Sequence, residues 1–364
     1  VQIQFEARIG KVLAEMERQG VELFLVGPGS TLKYLAGYGV KADERLLLLV
    51  LSPGRKPFFV ANRLYLRQLP IQEGALLWGD GEDAVALLAD QLAAQGYPTG
   101  RVAVSKELPA HFVLPLLEAL KGARLELGGG LTDPLRIYKD EAERECMRTA
   151  CRLASQALEA VLDRGRWWLG KTEGQFMGQL AFEMTSLGLK LPSGIVAVGA
   201  EAAVPHHATA DTVIEEGQCL LVDFGGNWKN YNTDMTRTVH FGEPSDEFRK
   251  VYDIVLEAQY KGREAARLGN ELQEVDRAAR GYIASKGYGE FFTHRTGHGI
   301  GIDGHEGPSA QEGEHTVIAP GMAFSIEPGI YLPGKFGVRI EDQALITENG
   351  LEILHSVPRE LRVF

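Results

Sequence analysis

Apolar positions near the start of the chain recur at helical spacing and then gather into short solid runs. Ile9, Val12, Leu13 and Met16 fall three to four apart among charges in VQIQFEARIGKVLAEMERQG, which predicts an amphipathic helix. Strand-sized runs follow in VELFLVG, RLLLLVLS, PFFVAN, GALLWG, RVAVS and RLELG, with helical patterns such as EDAVALLADQLAAQG between several of them. Runs that are apolar throughout predict a sheet covered on both faces, so this part reads as an α/β domain. Gly128-Gly129-Gly130 and then Asp133-Pro134 break the pattern. The boundary is placed there, giving domains 1–132 and 133–364.

Beyond the boundary a long helix is predicted from about Asp140, its DEAERE start putting acids at the positive end of the helix dipole. Thr172-Glu173-Gly174-Gln175 reads as a capping box opening a second helix. From about residue 194 short strands dominate: GIVAVG, CLLVDFG, TRTVHFG, AFSIEPG and GVRIEDQALIT, interrupted by a helical pair at about 246–268 and 271–286. The second half is therefore α+β, built on antiparallel hairpins. One of them, LLVDFGGNWKNYNTDMTRTV, puts Asp223 and Asp234 in two apolar arms either side of a Gly-Gly-Asn-Trp-Lys-Asn turn.

Composition narrows the function classes. A formal net charge of −11 argues against nucleic acid or an anionic membrane as the main partner. No apolar run approaches the roughly 18–20 residues of a membrane helix. The N-terminal helix carries charges throughout, unlike a signal peptide. Cys146, Cys151 and Cys219 are odd in number and lack metal-ligand spacing, so they read as reduced thiols in a cytoplasmic protein.

The paired aspartates then change the picture. They are eleven residues apart, a spacing that lets them meet across a hairpin, about 5 Å apart if opposed and about 7–8 Å if diagonal. Two such carboxylates repel unless a cation or proton intervenes. Glu327 at the end of AFSIEPG and Glu341 inside GVRIEDQALIT are further carboxylates where burial is expected, and THRTGHGIGIDGHEG supplies His294, His298 and His305. Four carboxylates and a histidine are mostly hard oxygen donors, suited to manganese, cobalt or iron, and their charge is balanced by two divalent ions. Two ions about 3.5–4 Å apart make a bridging hydroxide available near neutral pH. Two other motifs fail on context. Gly299-Ile-Gly301-Ile-Asp-Gly304 matches GxGxxG but neither leaves a strand nor opens a helix, and His305-Glu306 lacks the second histidine of HExxH.

PHHATAD, VDFGGNWKNYNTDMTRTV, HRTGHGIGIDGHEGP, IEPGIY and VRIED together resemble the pita-bread metallopeptidases: methionine aminopeptidase, aminopeptidase P, prolidase and the related creatinase. The segments occur in family order over roughly residues 134–364. The N-terminal part is similar to the smaller creatinase-like α/β domain of prolidase, aminopeptidase P and creatinase, which methionine aminopeptidases lack. The resemblance implies metal ligands Asp223, Asp234, His298, Glu327 and Glu341, with Asp234 and Glu341 bridging two divalent ions, Mn2+ first and Co2+, Fe2+ or Zn2+ as alternatives. It implies that His206 contacts substrate, with His207 as the neighbouring alternative, and that His305 is a second substrate-facing histidine. Glu327 would also move a proton, and His294, Tyr331 and Arg339 would serve substrate beside the metals. The implied activity is hydrolysis of short Xaa-Pro peptides by a homodimer. Prolidase (Xaa-Pro dipeptidase) is the first reading and aminopeptidase P, acting on longer peptides, the alternative. The complete ligand set argues against a third reading, a non-catalytic peptide-binding relative.

Overall fold

In the computed structural model, which describes residues 3–364, the chain divides into two compact units at Arg136/Ile137. The first follows the apolar pattern closely. Helix α1 (Phe5–Gln19) buries Ile9, Val12 and Met16 and ends on Gly20, whose φ of 71° lets its N–H close the last turn. Strand β1 (Leu23–Val26), helix α2 (Ser30–Ala36) and strands β2 (Leu48–Leu51), β3 (Phe58–Asn62) and β4 (Leu76–Trp78) follow. Then come α3 (Ala84–Ala94), β5 (Arg101–Val104), α4 (Ala110–Ala119), β6 (Arg124–Leu127) and α5 (Gly129–Ile137). The strands form one mixed sheet in the order β4-β3-β2-β1-β5-β6. Every residue of β1, β2 and β3 is buried, as their unbroken apolar runs require. The segment expected to break the chain instead forms α5, with Pro134 inside it and Leu131 and Thr132 buried. Burial of that face offsets the bond that proline forgoes.

The second unit is α+β. Helix α6 (Glu141–Leu162) opens on a capping box between Asp140 and Glu143, and α7 (Glu173–Ser186) on one between Thr172 and Gln175. Strands β7 (Lys190–Val198), β8 (Cys219–Trp228) and β9 (Tyr231–His240) form a three-stranded antiparallel sheet. Along β8, Leu220, Val222 and Phe224 pack with Leu158 of α6 and Leu180 of α7. The intervening Cys219 and Leu221 pack with helices α8 (Asp246–Ala265) and α9 (Gln273–Ser285). This period of two leaves Asp223 on the second face. The remaining strands are β10 (Gly297–Gly299), β11 (Glu306–Ala310), β12 (Ala323–Ile326), β13 (Gly329–Leu332), β14 (Phe336–Arg339), β15 (Asp342–Thr347) and β16 (Gly350–Ile353). They make a five-stranded sheet, β11-β10-β12-β15-β16, and a hairpin, β13-β14.

Two local expectations are corrected. The β8-β9 hairpin turns on only Lys229 and Asn230, both at positive φ, and the ladder runs through the glycines to Trp228↔Tyr231. GVRIEDQALIT is two strands, with Ile340-Glu341 at the break between β14 and β15. The two halves pair in different sheets, which frees Glu341 from either ladder. Among the described residues no helix is long and apolar enough to cross a membrane, and the three cysteines are unpaired.

Candidate metal centre

The register β8 to β9 pairs Asp223 with Thr236 and Gly225 with Asp234, so the aspartates are diagonal neighbours on one face. Gly225 is needed because a Cβ there would lie 2.4 Å from the Thr233 carbonyl oxygen. His298 sits on β10, and Gly297 before it lets that strand press against β12, where a Cβ would fall 1.9 Å from the Ser325 oxygen. Glu327 directly follows β12, its N–H donating to Thr296 O at 2.8 Å and its Oε1 accepting from Ser325 Oγ at 3.0 Å. Glu341 is fixed from the hairpin: its N–H donates to Thr236 O at 3.1 Å and its Oε2 accepts from Thr236 Oγ1 at 2.7 Å.

Nine of the ten residues singled out in the sequence line one cavity of about 110 Å³; Tyr331 lies behind it, and Pro205 and Arg295 complete the wall. Ligand atoms of Asp223, Asp234 and Glu341 lie within 4.8 Å of one another, as do those of His298, Glu327 and Glu341, and those of Asp234, His298 and His305. A second cavity of about 260 Å³ shares His206, Asp223, Asp234 and His305 and extends past Leu191, Ile195 and Gly304.

Of the four carboxylates only Asp223 has a cationic side-chain partner among the described residues, Arg339. Burial pushes the Asp234 and Glu341 carboxyls well above the usual range, and the neighbouring carboxylates push them further. Burial also raises Glu327 to about 7 against the pull of Arg339. The buried Oε1 of Glu341 has no hydrogen-bond partner at all. His298 Nδ1–H donates to Gly299 O at 3.0 Å, so its Nε2 lone pair faces Glu327 Oε1 at 3.3 Å and Asp234 Oδ2 at 3.7 Å. Burial and the adjacent His305 hold His298 down at about 3, so that ring is neutral. Lone pairs converging with an orphaned carboxylate oxygen, all from hard donors and one imidazole, fit divalent cations.

The three residues expected to serve substrate are instead tied to one another. His294 Nδ1–H donates to Arg295 O at 2.7 Å, and Tyr331 O–H donates to His294 Nε2 at 2.7 Å. Arg339 Nη1 donates to Tyr331 Oη at 2.8 Å, Arg339 Nε to Thr236 Oγ1 at 3.2 Å, and Arg339 Nη2 to Asp223 Oδ2. Arg339 is 3% exposed and each of its three guanidinium nitrogens already donates to a protein oxygen, so it orients Asp223. The two histidines of PHHATAD separate cleanly. His207 Nε2 is 2.8 Å from Oε2 of the fully buried Glu173, which also accepts from Val198 N and Ala210 N. His206 lines both cavities, and the His305 ring lies tilted against that of His298, their centroids 3.9 Å apart. Thr236, Ser325 and Arg295 escaped the sequence reading; only Arg295 had a visible signal, standing between two site histidines in HRTGH.

The family model "Metallopeptidase family M24" matches residues 145–348, and "Creatinase/Prolidase N-terminal domain" matches 8–138. The "Probable dipeptidase PepE" of Mycobacterium tuberculosis is 36% identical over 99% of this chain and 96% of its own. The crystal structure of a recombinant prolidase from Thermococcus sibiricus superposes with a TM-score of 0.95, 33% identity and full coverage of both chains. An X-Pro aminopeptidase from Thermotoga maritima superposes with a TM-score of 0.83, 30% identity, 96% of this chain and all of its own. The chain belongs to metallopeptidase family M24, with the pita-bread catalytic fold preceded by a creatinase-type N-terminal domain. It is a divalent-metal peptidase of the prolidase branch.

Proposed function

We propose that this protein is an Xaa-Pro dipeptidase working with two divalent metal ions, manganese first among the candidates. The observation that carries the metal reading is the buried, partnerless Glu341 Oε1 amid four converging carboxylates. Asp223, Asp234, His298, Glu327 and Glu341 would hold the ions, with Asp234 and Glu341 shared between them. When bound, such a pair supplies Lewis-acid polarisation of a carbonyl and lowers the pKa of water.

The chain's own residues do the rest. The Tyr331–Arg339 pair holds Asp223 in place, and Thr236 holds Glu341, so the donors are preorganised. His206, which lines the cavity, donates to the scissile carbonyl oxygen as negative charge develops there, and His305 lines the same cavity. Glu327, with Oε1 steadied by Ser325, carries the proton from the attacking water to the departing proline nitrogen. That nitrogen has no N–H, so a site that needs none to grip it suits an Xaa-Pro bond. The domain limits proposed from sequence, 1–132 and 133–364, lie four residues from the division between the compact units. The unpaired cysteines support a cytoplasmic setting, and the family resemblance supports a homodimer, which light scattering would test. The activity test is hydrolysis of Xaa-Pro and Xaa-Pro-Yaa by manganese-loaded protein. Dipeptides should be cleaved at least about tenfold better in kcat/KM, a difference of about 1.4 kcal/mol. Preference for the tripeptides would reassign the protein to aminopeptidase P.

A further inference from the structure

A dipeptidase must recognise the carboxylate that immediately follows its second residue, and Arg339, the obvious cation, is spent on Asp223, Tyr331 and Thr236. Arg295 differs in each respect. It lines the cavity wall beside His206 and His305. Its Nη1 donates to Ser309 Oγ at 3.0 Å, a neutral partner on β11 directly across the ladder from His298. Among the described residues no carboxylate lies within ion-pair distance of it. A half-buried guanidinium without a counter-charge is costly, and the residual cost is removed by an anion delivered to the cavity. With Nη1 pinned by Ser309, the guanidinium is oriented while Nη2 and Nε remain for a planar, two-point acceptor. Charge balance agrees: four carboxylates against two divalent ions and the two guanidinium groups of Arg339 and Arg295 leave the cavity with excess positive charge, which an incoming anion would offset.

We infer that Arg295 is the receptor for the free α-carboxylate of the substrate's C-terminal residue, and so the residue that restricts this site to dipeptides. The inference rests on the Xaa-Pro dipeptidase reading. The test compares wild type, Arg295→Gln and Arg295→Lys, manganese-loaded, on an Xaa-Pro dipeptide and its C-terminal amide. In Arg295→Gln the dipeptide-to-amide ratio of kcat/KM should fall at least about tenfold, with the loss in KM for the dipeptide, and Arg295→Lys should recover part of it. An unchanged ratio, or equal losses on both substrates through kcat, would overturn the assignment and leave the dipeptidase reading standing. Failure of wild type to cleave any Xaa-Pro dipeptide would overturn both. A second arm needs no variant: proline should inhibit wild type at least about tenfold more strongly than prolinamide, and equal inhibition overturns the assignment.

Discussion

Glu341 and Asp342 are adjacent, both buried, and surrounded in opposite ways. Asp342 Oδ1 accepts from Arg237 Nη2 at 2.7 Å, its Oδ2 accepts from Gln259 Nε2 at 3.1 Å and from Arg359, and His355 stands 3.7 Å away. Burial alone would raise its carboxyl, but Arg237 and Arg359 outweigh it and hold the group below its usual range. Glu341 has a threonine hydroxyl on one oxygen and nothing on the other, and burial with Asp234 and Glu327 beside it drives its carboxyl up. The contrast teaches that depth of burial does not decide the state of a carboxylate here; the sign of its neighbours does. Strand β9 and the C-terminal segment bring Arg237 and Arg359 to Asp342, whereas the charged groups beside Glu341 are the acids Asp234, Glu327 and Asp223. Such an imbalance marks a place where the missing partner is exogenous.

The comparison can be broken most severely at Glu341 itself. Glu341→Gln should lower bound metal and cut turnover at least about 10³-fold, because an amide cannot balance the shared ions. Full metal content with near wild-type turnover would remove the dinuclear reading. Asp342→Asn should act on folding instead, destabilising the protein by about 3–5 kcal/mol in denaturant titrations, since Arg237 and Arg359 lose their counter-charge. His206→Ala should reduce kcat roughly 10²-fold with metal content retained, and His207→Ala far less. A reversal of those two effects would mean that the Glu173 clamp carries the chemistry.

A pH series sharpens the contrast further. Glu327 is raised from 4.5 to about 7, and Asp234 and Glu341 are raised in the same sense. Folded protein without metal therefore binds more protons than unfolded chain, so this stabilisation is complete below about pH 4.5 and is lost as pH rises through about 7. Asp342 has the opposite sign and loses its contribution only in acid, below its ordinary 3.8. Melting temperatures of chelator-treated protein should fall across that upper window and flatten when manganese is restored. Equal slopes with and without metal would contradict the assignment.

Much of this centre was legible in the sequence because the signal was chemical contrast. Asp223, Asp234, Glu327 and Glu341 are acids set among strand-forming apolar residues, where ordinary folding would not put them. Geometry was legible only where it is local. The stretch Gly-Gly-Asn-Trp-Lys-Asn reads as a six-residue turn, yet Gly225 is there for the close approach of Thr233, and the reversal needs only Lys229-Asn230. The break at Ile340-Glu341 left no mark, since no glycine or proline signals a chain passing from one sheet to another. The role of Arg339 depends on a residue far along the chain, for it meets Asp223, 116 positions away. Partner identity at that separation is a tertiary property that periodicity does not encode.

The most direct test is metal stoichiometry: equilibrate the chain with manganese, remove loosely held ions and count what remains. About two ions per chain are predicted for wild type, with at least one lost in Glu341→Gln. No retained metal in wild type, or undiminished Xaa-Pro hydrolysis by metal-free protein, would contradict the reading of the carboxylate cluster as a dinuclear centre.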